Sequence, residues 1–218
     1  MYRPRDTRMP LDEAQDLIDA HGFAVLLDGG LQASHLPLVL SRGEGELGTL
    51  YGHFARANPH WQALEGQRVL AIFQGPHAYV SPRWYAARPA VPTWNYVSVH
   101  ASGIVERLDD EATQAAFDTL LAKYEPDLLD DAEILSDAYR RRLLKGTVGF
   151  RIRLDDLQGK AKLGLNRSRE DQAGVLAGLG ASPDPLARQL GGYTQGYTER
   201  YTRRHLEDDL GKESQDDR

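Results

Sequence analysis

The sequence predicts a mainly β fold, a small antiparallel barrel with peripheral helices. Three observations support it: short β-type runs follow one another closely between residues 23 and 108, turn residues separate them, and few segments have a helical pattern. With 218 residues, of which 41% are hydrophobic and 27% charged, the chain has the size and balance of one globular domain, with or without an appendage.

The first element is a short amphipathic helix over residues 10–20. Pro10 suits the first turn, acidic residues come early, and Gly22 follows the end. One face of this helix is apolar and carries Leu11, Ala14, Leu17 and Ile18.

Strand-like runs then alternate with turns. They cover residues 23–28, 34–40, 47–54, 68–75 and 95–108. The breaks at 28–30 and 43–45 have the length and the glycines of hairpin connections. Residues 55–64 predict a helical or turn-like excursion from the end of a strand.

Two helices and a last strand complete the domain. Acidic residues lead into a helix over 109–124, and residues 131–145 start acidic and finish basic, which complements the helix dipole. Residues 147–154 have the pattern of a strand. We therefore expect one domain over residues 1–182.

Residues 183–218 differ in composition and are expected to form a C-terminal tail. Proline and glycine punctuate its first ten residues, and a loose four-residue repeat follows, which favours a loose or weakly docked segment. The alternative is an interaction arm for a protein partner, because the acidic residues 207–217 would repel DNA. In a helix, one side would collect Tyr193, Tyr197 and Tyr201, close to Arg200, Arg203 and Arg204.

The amino-acid composition excludes several classes of function. Cysteine is absent, which excludes disulfides, zinc–thiolate sites and thiol catalysis and agrees with a cytoplasmic location. The net charge of −6 argues against a surface dedicated to nucleic acid, although a local basic patch stays open. We expect no membrane association, since no run has the length and apolarity of a bilayer helix and the first residues lack an apolar signal region.

Three blocks contain more histidine, tryptophan and asparagine than a plain core needs. In the first, residues 34–37, the proline cannot donate to a β ladder, so this strand lies at a sheet edge or is bulged. His35 is a candidate ligand contact beside that irregularity, or an ordinary half-buried histidine.

The second block, residues 51–59, is a candidate phosphate site. A strand that ends on glycine and opens a helical turn presents free backbone N–H groups, and Arg56 and Asn58 are placed to close on a phosphate. The alternative for Arg56 is an ordinary surface position.

The third block comprises residues 73–82 and 92–96. Gln74 offers both a donor and an acceptor, as the edge of a flat heterocycle requires. The aromatic residues in and near this block could wall an aromatic cofactor or could pack in the core. They are Tyr79, Trp84, Trp94 and Tyr96.

Other site types are not indicated. The seven histidines include no HExxH pair, and their spacing selects no metal site. The sequence has neither a GxSxG nucleophile elbow nor a P-loop.

Four segments resemble, in the same order, the PaiB family of FMN-binding negative transcriptional regulators: SHLPLVL, GTLYGHFARANPHW, IFQGPHAYVSPRWY and VPTWNYVSVHASG. The resemblance extends to the helix after Arg167 and excludes the tail. That family is similar to the split-barrel flavoproteins, which include pyridoxamine 5′-phosphate oxidase and flavin reductase-like enzymes. It therefore implies a six-stranded antiparallel split β-barrel, a homodimer, and FMN in the groove between the subunits.

The resemblance also implies roles for single residues. It assigns the FMN phosphate to Ser34 and His35 on one strand and to the turn Arg56-Ala57-Asn58. His53, which follows Gly52 on the same strand end, would lie near the flavin, and Gln74 would address the ring edge.

A late basic segment, residues 160–167, resembles a family pattern K-x-K-L-S-Q-N-R. Gly164 and Leu165 replace the polar Ser-Gln pair, so the resemblance leaves Asn166 and Arg167 as the ligand contacts. The alternative is a loop that leads into a helix capped by Ser168.

Three functions stay open at this point. The resemblance favours an FMN-binding regulator, but no helix-turn-helix supports direct DNA binding. The second is a flavin-dependent oxidoreductase or reductase for a small molecule, and the third is a binder of haem or another tetrapyrrole. In the enzyme, the residues that position substrate or move protons would be His35, His53, His77 and Tyr79.

Overall fold

The structure, a computed structural model, describes the backbone of residues 1–216 and the side chains of residues 1–202. The strands are β1 (Arg8–Met9), β2 (Phe23–Leu27), β3 (Ala33–Pro37), β4 (Val39–Ser41), β5 (Thr49–Ala55), β6 (Arg68–Val80), β7 (Thr93–Arg107) and β8 (Thr147–Lys162). The α-helices are α1 (Leu11–Ala20), α2 (Asp110–Tyr124), α3 (Asp137–Lys145), α4 (Arg169–Gly180) and α5 (Pro185–Asp216). The side chains of Arg203, Arg204 and residues 207–217, which the interaction-arm alternative invokes, lie outside the described part.

One antiparallel sheet organises the chain, in the order β3-β2-β6-β7-β8-β5-β4, with β1 paired to β8. The strands at its two ends, β3 and β4, are neighbours in the sequence and are separated only by Leu38. The run of residues 33–41 therefore pairs with β2 through its first half and with β5 through its second half. If this run counts as one strand and the two-residue β1 is set aside, the six-stranded split barrel is confirmed.

The edge position predicted for the strand with Pro37 is also confirmed. Pro37 is the last residue of β3, an end strand of the sheet order, and the ladder passes to the other side of the run immediately after it. The N–H of Leu38 donates to the carbonyl oxygen of Gly22 at 2.8 Å, which fixes the change of partner.

The core is formed by buried side chains that recur at every second position of the strands. In β5 the side chains of Leu50 and Phe54 are buried, and Phe150 and Ile152 on the paired β8 point to the same interior. The Phe54 and Phe150 rings lie 5.0 Å apart, centre to centre. This period of two explains why the short runs were recognisable as strands.

Helices α1 and α2 occupy the predicted positions, but α3 is shorter than predicted. It begins at Asp137 rather than at residue 131, because Ser136 caps it through Tyr139 N–H. Before it, the Asp131 carboxylate accepts the N–H groups of Glu133 and Ile134, both at 3.0 Å, and holds a turn. The excursion predicted at 55–64 contains a 3-10 helix, Pro59–Ala63.

The chain forms two compact units, and each is described by itself. The first unit comprises Met1–Tyr2, Arg8–Gln74 and Ser98–Lys160, and the second comprises Arg3–Thr7, Gly75–Val97 and Ala161–Arg218. No helix in the described residues has the length and apolarity needed to cross a bilayer.

Helix α5, in the second unit, contains most of the residues predicted to form the tail. It packs on α4 through a stripe at three- and four-residue spacing, where Ala187, Leu190, Thr194 and Tyr197 are buried. The ring centres of Tyr193 and Tyr197 lie 6.0 Å apart and those of Tyr197 and Tyr201 6.5 Å apart, so these tyrosines stack along one side of the helix.

Candidate functional site

In the first unit, a buried polar chain links β3 to the 3-10 helix Pro59–Ala63. The Ser34 hydroxyl lies 2.8 Å from His60 Nδ1, and Asn58 Nδ2 donates to that hydroxyl at 3.3 Å. The other ring nitrogen, His60 Nε2, lies 3.5 Å from a carboxylate oxygen of Asp28 and makes no hydrogen bond to any described residue.

Two predicted phosphate ligands, Ser34 and Asn58, thus come together, but around a protein group. The Asn58 carbonyl oxygen accepts the backbone N–H of His60 at 3.0 Å and caps the 3-10 helix. Sequence reasoning missed His60, which is fully buried. The Asn-Pro-x sequence before it, a cap followed by proline in the first turn, was the available clue.

Arg56 fastens the start of β8. Its Nε donates to the Lys145 carbonyl and its Nη2 to the Thr147 carbonyl, both at 2.9 Å, and its backbone N–H donates to Gly146 at 2.7 Å. Arg56 and Ala57 are exposed. Within the described residues, Arg56 Nη1 and the Ala57 N–H have no protein partner and are the groups available to an anion.

Gly52 and His53 have packing roles. A Cβ at position 52 would come within 2.5 Å of Leu38 and 3.0 Å of Phe150, so glycine lets these side chains approach the strand. The His53 ring meets Phe117 of α2 edge-on, 6.0 Å between centres, and burial lowers the pKa of His53 below its ordinary value.

His35 and Gln74, by contrast, are exposed. The His35 ring lies 6.1 Å from the ring of Phe23, which is itself 66% exposed. Gln74 is located on β6, where its amide keeps one face of the strand polar.

In the second unit, Asn166 and Arg167 form the turn between β8 and α4. Asn166 Nδ2 donates to Asp6 at 3.0 Å. The Arg167 guanidinium lies 3.9 Å above the Tyr85 ring, with Nη1 3.6 Å from Asp171. The predicted cap is also present, since the Ser168 hydroxyl accepts the Asp171 N–H at 3.2 Å.

The second unit also has an exposed aromatic face, which we define by His77, Tyr79 and Trp94. Tyr79 is 48% and Trp94 54% exposed, and their ring centres lie 6.3 Å apart in an edge-on arrangement. The His77 ring lies 6.3 Å from Trp94. Large rings exposed together on adjacent strands are typical of a binding surface rather than of a core.

Hydrogen bonds of Lys162 and His77 fix the positions of residues in this face. Lys162 Nζ donates to Thr93 Oγ1 at 2.6 Å and to the Trp94 carbonyl at 2.9 Å, which fixes the strand at Trp94. His77 Nδ1 lies 3.2 Å from the Gly75 carbonyl, which only accepts, so Nδ1 holds the ring proton and Nε2 is the acceptor. The described residues include no cluster of three or more metal-ligating side chains.

The aromatic face of the second unit has the ring surfaces and the directed acceptor that a flat cofactor such as FMN requires. Taken by itself, the exposed end of the first unit at Arg56 and Ala57 has the cation and the N–H that an anion requires. The buried Ser34–His60 hydrogen bond lies next to this end, since Asn58 links Ser34 to the turn that follows Arg56.

Comparison with known proteins agrees with this description. A family model described as "Putative FMN-binding domain" matches residues 1–156. The protein "Protease synthase and sporulation protein PAI 2" from Bacillus subtilis (strain 168) is 35% identical over 199 residues, which cover 87% of this chain and 94% of that protein. The resemblance to the PaiB family is confirmed.

Solved structures share the fold at low identity. The flavocytochrome Anf3 from Azotobacter vinelandii superposes with a TM-score of 0.59 at 17% identity, covering 79% of this chain and 78% of its own. An FAD- and haem-binding protein from Mycobacterium smegmatis has a TM-score of 0.55 at 20% identity, covering 74% and 76%. At these identities the likeness shows the split-barrel fold.

Proposed function

This chain belongs to the FMN-binding domain family whose model it matches, and on that premise we propose that it uses FMN as a redox protein acting on a small molecule. The observation that carries the proposal is the exposed aromatic face, where Tyr79 and Trp94 are about half exposed beside the directed acceptor of His77. When bound, FMN supplies hydride and electron transfer, which amino-acid side chains do not provide.

The residues of the aromatic face have separate tasks in this proposal. Trp94 and Tyr79 hold the isoalloxazine ring through their own rings, and Lys162 keeps Trp94 in place through its backbone carbonyl. His77 Nε2, an acceptor because Nδ1 is committed to Gly75, receives a hydrogen bond or a proton from ligand or substrate.

Flavin binding is tested first by the absorbance spectrum of the purified protein and by titration with FMN. We expect flavin bands, and we expect Trp94→Ala to weaken FMN binding by about tenfold or more, because a base-sized ring stacked on an aromatic side chain contributes about 1–3 kcal/mol. Tyr2→Ala is the matched control, since Tyr2 is 82% exposed and outside the face. Equal FMN affinity in both variants would remove the aromatic face from the proposal, and a Soret band would favour the haem alternative.

The redox part is tested separately, by stopped-flow mixing of the FMN-loaded protein with NADH or NADPH. We expect one of them to bleach the flavin absorbance, and His77→Gln to slow turnover with a small-molecule acceptor more than it weakens FMN binding. A flavin that neither nucleotide reduces would contradict the oxidoreductase role while leaving FMN binding intact.

We propose that any regulatory effect of the kind the family resemblance implies is indirect, in a cytoplasmic protein. The basic stretch of α3 is partly used inside the fold, because Arg140 donates to the carbonyls of Leu129 and Leu135 at 2.6 and 3.2 Å. Direct DNA binding would give a gel-shift complex at low salt whose affinity falls steeply as salt is added. Such a complex, formed on a specific promoter fragment, would overturn the indirect role.

A further inference from the structure

A small cavity lies inside the second unit, between the start of β7, the turn at Gly164, α4 and α5. Its volume is about 40 Å³. A single water needs roughly 10–15 Å³ measured in this way, so the space suits about three waters or one ligand of a few heavy atoms.

Asn95 contributes a buried amide to this cavity. It is 3% exposed and lines the cavity. Polar groups that line a buried cavity are normally satisfied by water or by a ligand, so this amide is available to hold one.

Gly164 keeps the space beside Asn95 open. Its φ of +75° favours glycine, and a Cβ there would lie 3.9 Å from Asn95 Nδ2 and 3.9 Å from Arg167 Cδ.

Arg167 brings a positive charge to the same wall. Its guanidinium lies 3.9 Å above the Tyr85 ring, and its ion pair with Asp171 is long, at 3.6 Å. The Asp171 carboxylate also accepts the N–H groups of Ala86 and Ala87 at 2.8 and 3.0 Å, so it does not depend on Arg167. The guanidinium therefore has donors to spare for an anion.

The opposite wall offers acceptors. Thr194 and Thr198 each donate their hydroxyl proton to a carbonyl of α5, at 2.8 Å, and Gln172 uses Nε2 on the carbonyls of Leu165 and Arg167. The atoms of these three side chains that stay available to the cavity are their oxygen atoms, which can accept hydrogen bonds.

We propose that this cavity binds a small carboxylate with a hydroxyl on the neighbouring carbon, at a site separate from the flavin. The carboxylate pairs with Arg167 and Asn95, and the hydroxyl donates to the threonine oxygens of α5. A two-carbon hydroxy acid has the required size, and helix α5 thereby becomes one wall of a ligand site.

The test is titration of the full-length protein with glycolate, followed by ligand-observed NMR and calorimetry, with FMN present and with FMN removed. We expect saturable one-to-one binding in both forms. Acetate, which lacks the hydroxyl, and glycolamide, which lacks the charge, should each bind about tenfold or more weakly. Loss of glycolate binding on removal of FMN would assign the ligand to the flavin site and overturn the proposal.

Single substitutions distinguish glycolate binding in this cavity from nonspecific binding elsewhere. Arg167→Met should weaken glycolate binding by about tenfold or more, whereas Arg169→Met, a matched change at an exposed position, should leave it unchanged. Thr194→Val should abolish the preference for glycolate over acetate, and the circular dichroism spectrum and melting temperature show that each variant folds. Equal binding by the two methionine variants, or a cavity that contains only water at high glycolate, would overturn the proposal.

Discussion

The imidazole of His60 shows what a buried polar residue does in the first unit. Its Nδ1 lies 2.8 Å from the Ser34 hydroxyl, and its Nε2 lies 3.5 Å from Asp28. Asn58 donates to the same hydroxyl at 3.3 Å. These contacts hold the 3-10 helix against β3.

Removal of one of these hydrogen-bonding side chains should destabilise the protein. We expect Ser34→Ala to lower the free energy of unfolding by about 1–3 kcal/mol, because His60 Nδ1 would be left buried without its hydrogen-bond partner. Urea unfolding of the flavin-free protein measures the effect. Thr202→Ala, at an exposed position of α5, is the control and should change stability by less than about 0.5 kcal/mol. A Ser34→Ala protein as stable as the control would contradict the hydrogen-bond assignment.

His53 gives a pH dependence with a definite sign. Burial lowers the pKa of His53 in the folded state below its ordinary value of 6.5. The unfolded chain therefore takes up the proton first as the pH falls. This stabilising contribution is full above about pH 6.5 and is lost as the pH falls through 6.5 towards the lower folded pKa.

We expect the free energy of unfolding to decrease between pH 7 and pH 5, and His53→Leu to flatten part of that decrease. His21 and His100 also have lowered pKa values, mainly because of burial, and contribute in the same direction. Urea unfolding across the pH series is the measurement. His35→Leu, at an exposed position, is the matched control, and an equal flattening by both changes would refute the role of burial.

Arg56 has a structural role and a proposed role in binding the phosphate, and one substitution tests both. Arg56→Ala should weaken FMN binding by about 1–3 kcal/mol, the scale of one charged hydrogen bond, and should also destabilise the flavin-free protein because two carbonyls lose their donor. Titration with FMN and with riboflavin, which lacks the phosphate, separates the two roles. A phosphate contact predicts a loss specific to FMN, whereas an unchanged FMN affinity would remove Arg56 from the phosphate site.

At the scale of elements, helix α4 is positioned by the close approach of Trp84. A Cβ at Gly178 would overlap the Trp84 ring, and a Cβ at Gly174 would overlap its carbonyl, so glycine at these positions lets the helix lie against the aromatic ring. Gly192, on α5, has no atom within 4 Å of the position a Cβ would take. Gly178 and Gly192 thus have opposite packing environments, the first crowded and the second open.

Alanine at position 178 and alanine at position 192 should change the free energy of unfolding in opposite directions. Gly178→Ala should lower the free energy of unfolding by about 1–3 kcal/mol through overpacking. Gly192→Ala should raise it by about 0.5–1 kcal/mol, because alanine loses less backbone entropy in a helix. Thermal unfolding of both variants decides. A stabilising Gly178→Ala would show that Trp84 does not contact α4 in this way.

Local patterns predicted some elements well and others incompletely, for identifiable reasons. Helix α1 has an apolar face at helical spacing, so both its position and its burial could be predicted. Strand β8 continues to Lys162, beyond the predicted end at 154, because polar residues at 155–160 conceal the alternation. Similarly, β6 continues through Gly75 and Pro76, which normally indicate a turn.

At the scale of the whole molecule, the family blocks predicted the split barrel and FMN more securely than any single residue predicted a role. Side-chain partners were out of reach, because they depend on residues far apart in sequence, as with Arg56 and the carbonyl of Thr147. The division into two units was not predicted either, since β6, β7 and β8 run through both and leave no linker to recognise.

The homodimer implied by the family resemblance stays a prediction. We expect light scattering to give twice the 24.3 kDa chain mass, because a flavin bound in a groove between subunits needs the walls of both. The FMN content of the dimer peak is measured at the same time. A monomer that retains FMN would contradict the groove arrangement.

The run of residues 33–41 has a consequence for solubility. Because this run changes ladder partner at Leu38, β3 pairs with β2 and β4 pairs with β5, each along one side of its backbone. Both lie at the ends of the sheet order, and the other side of such a strand can template intermolecular strand pairing. Both halves are short, and Pro37 at their junction has no N–H to offer to an incoming strand. The proline that marks the sheet edge thus also protects concentrated protein against edge-to-edge aggregation.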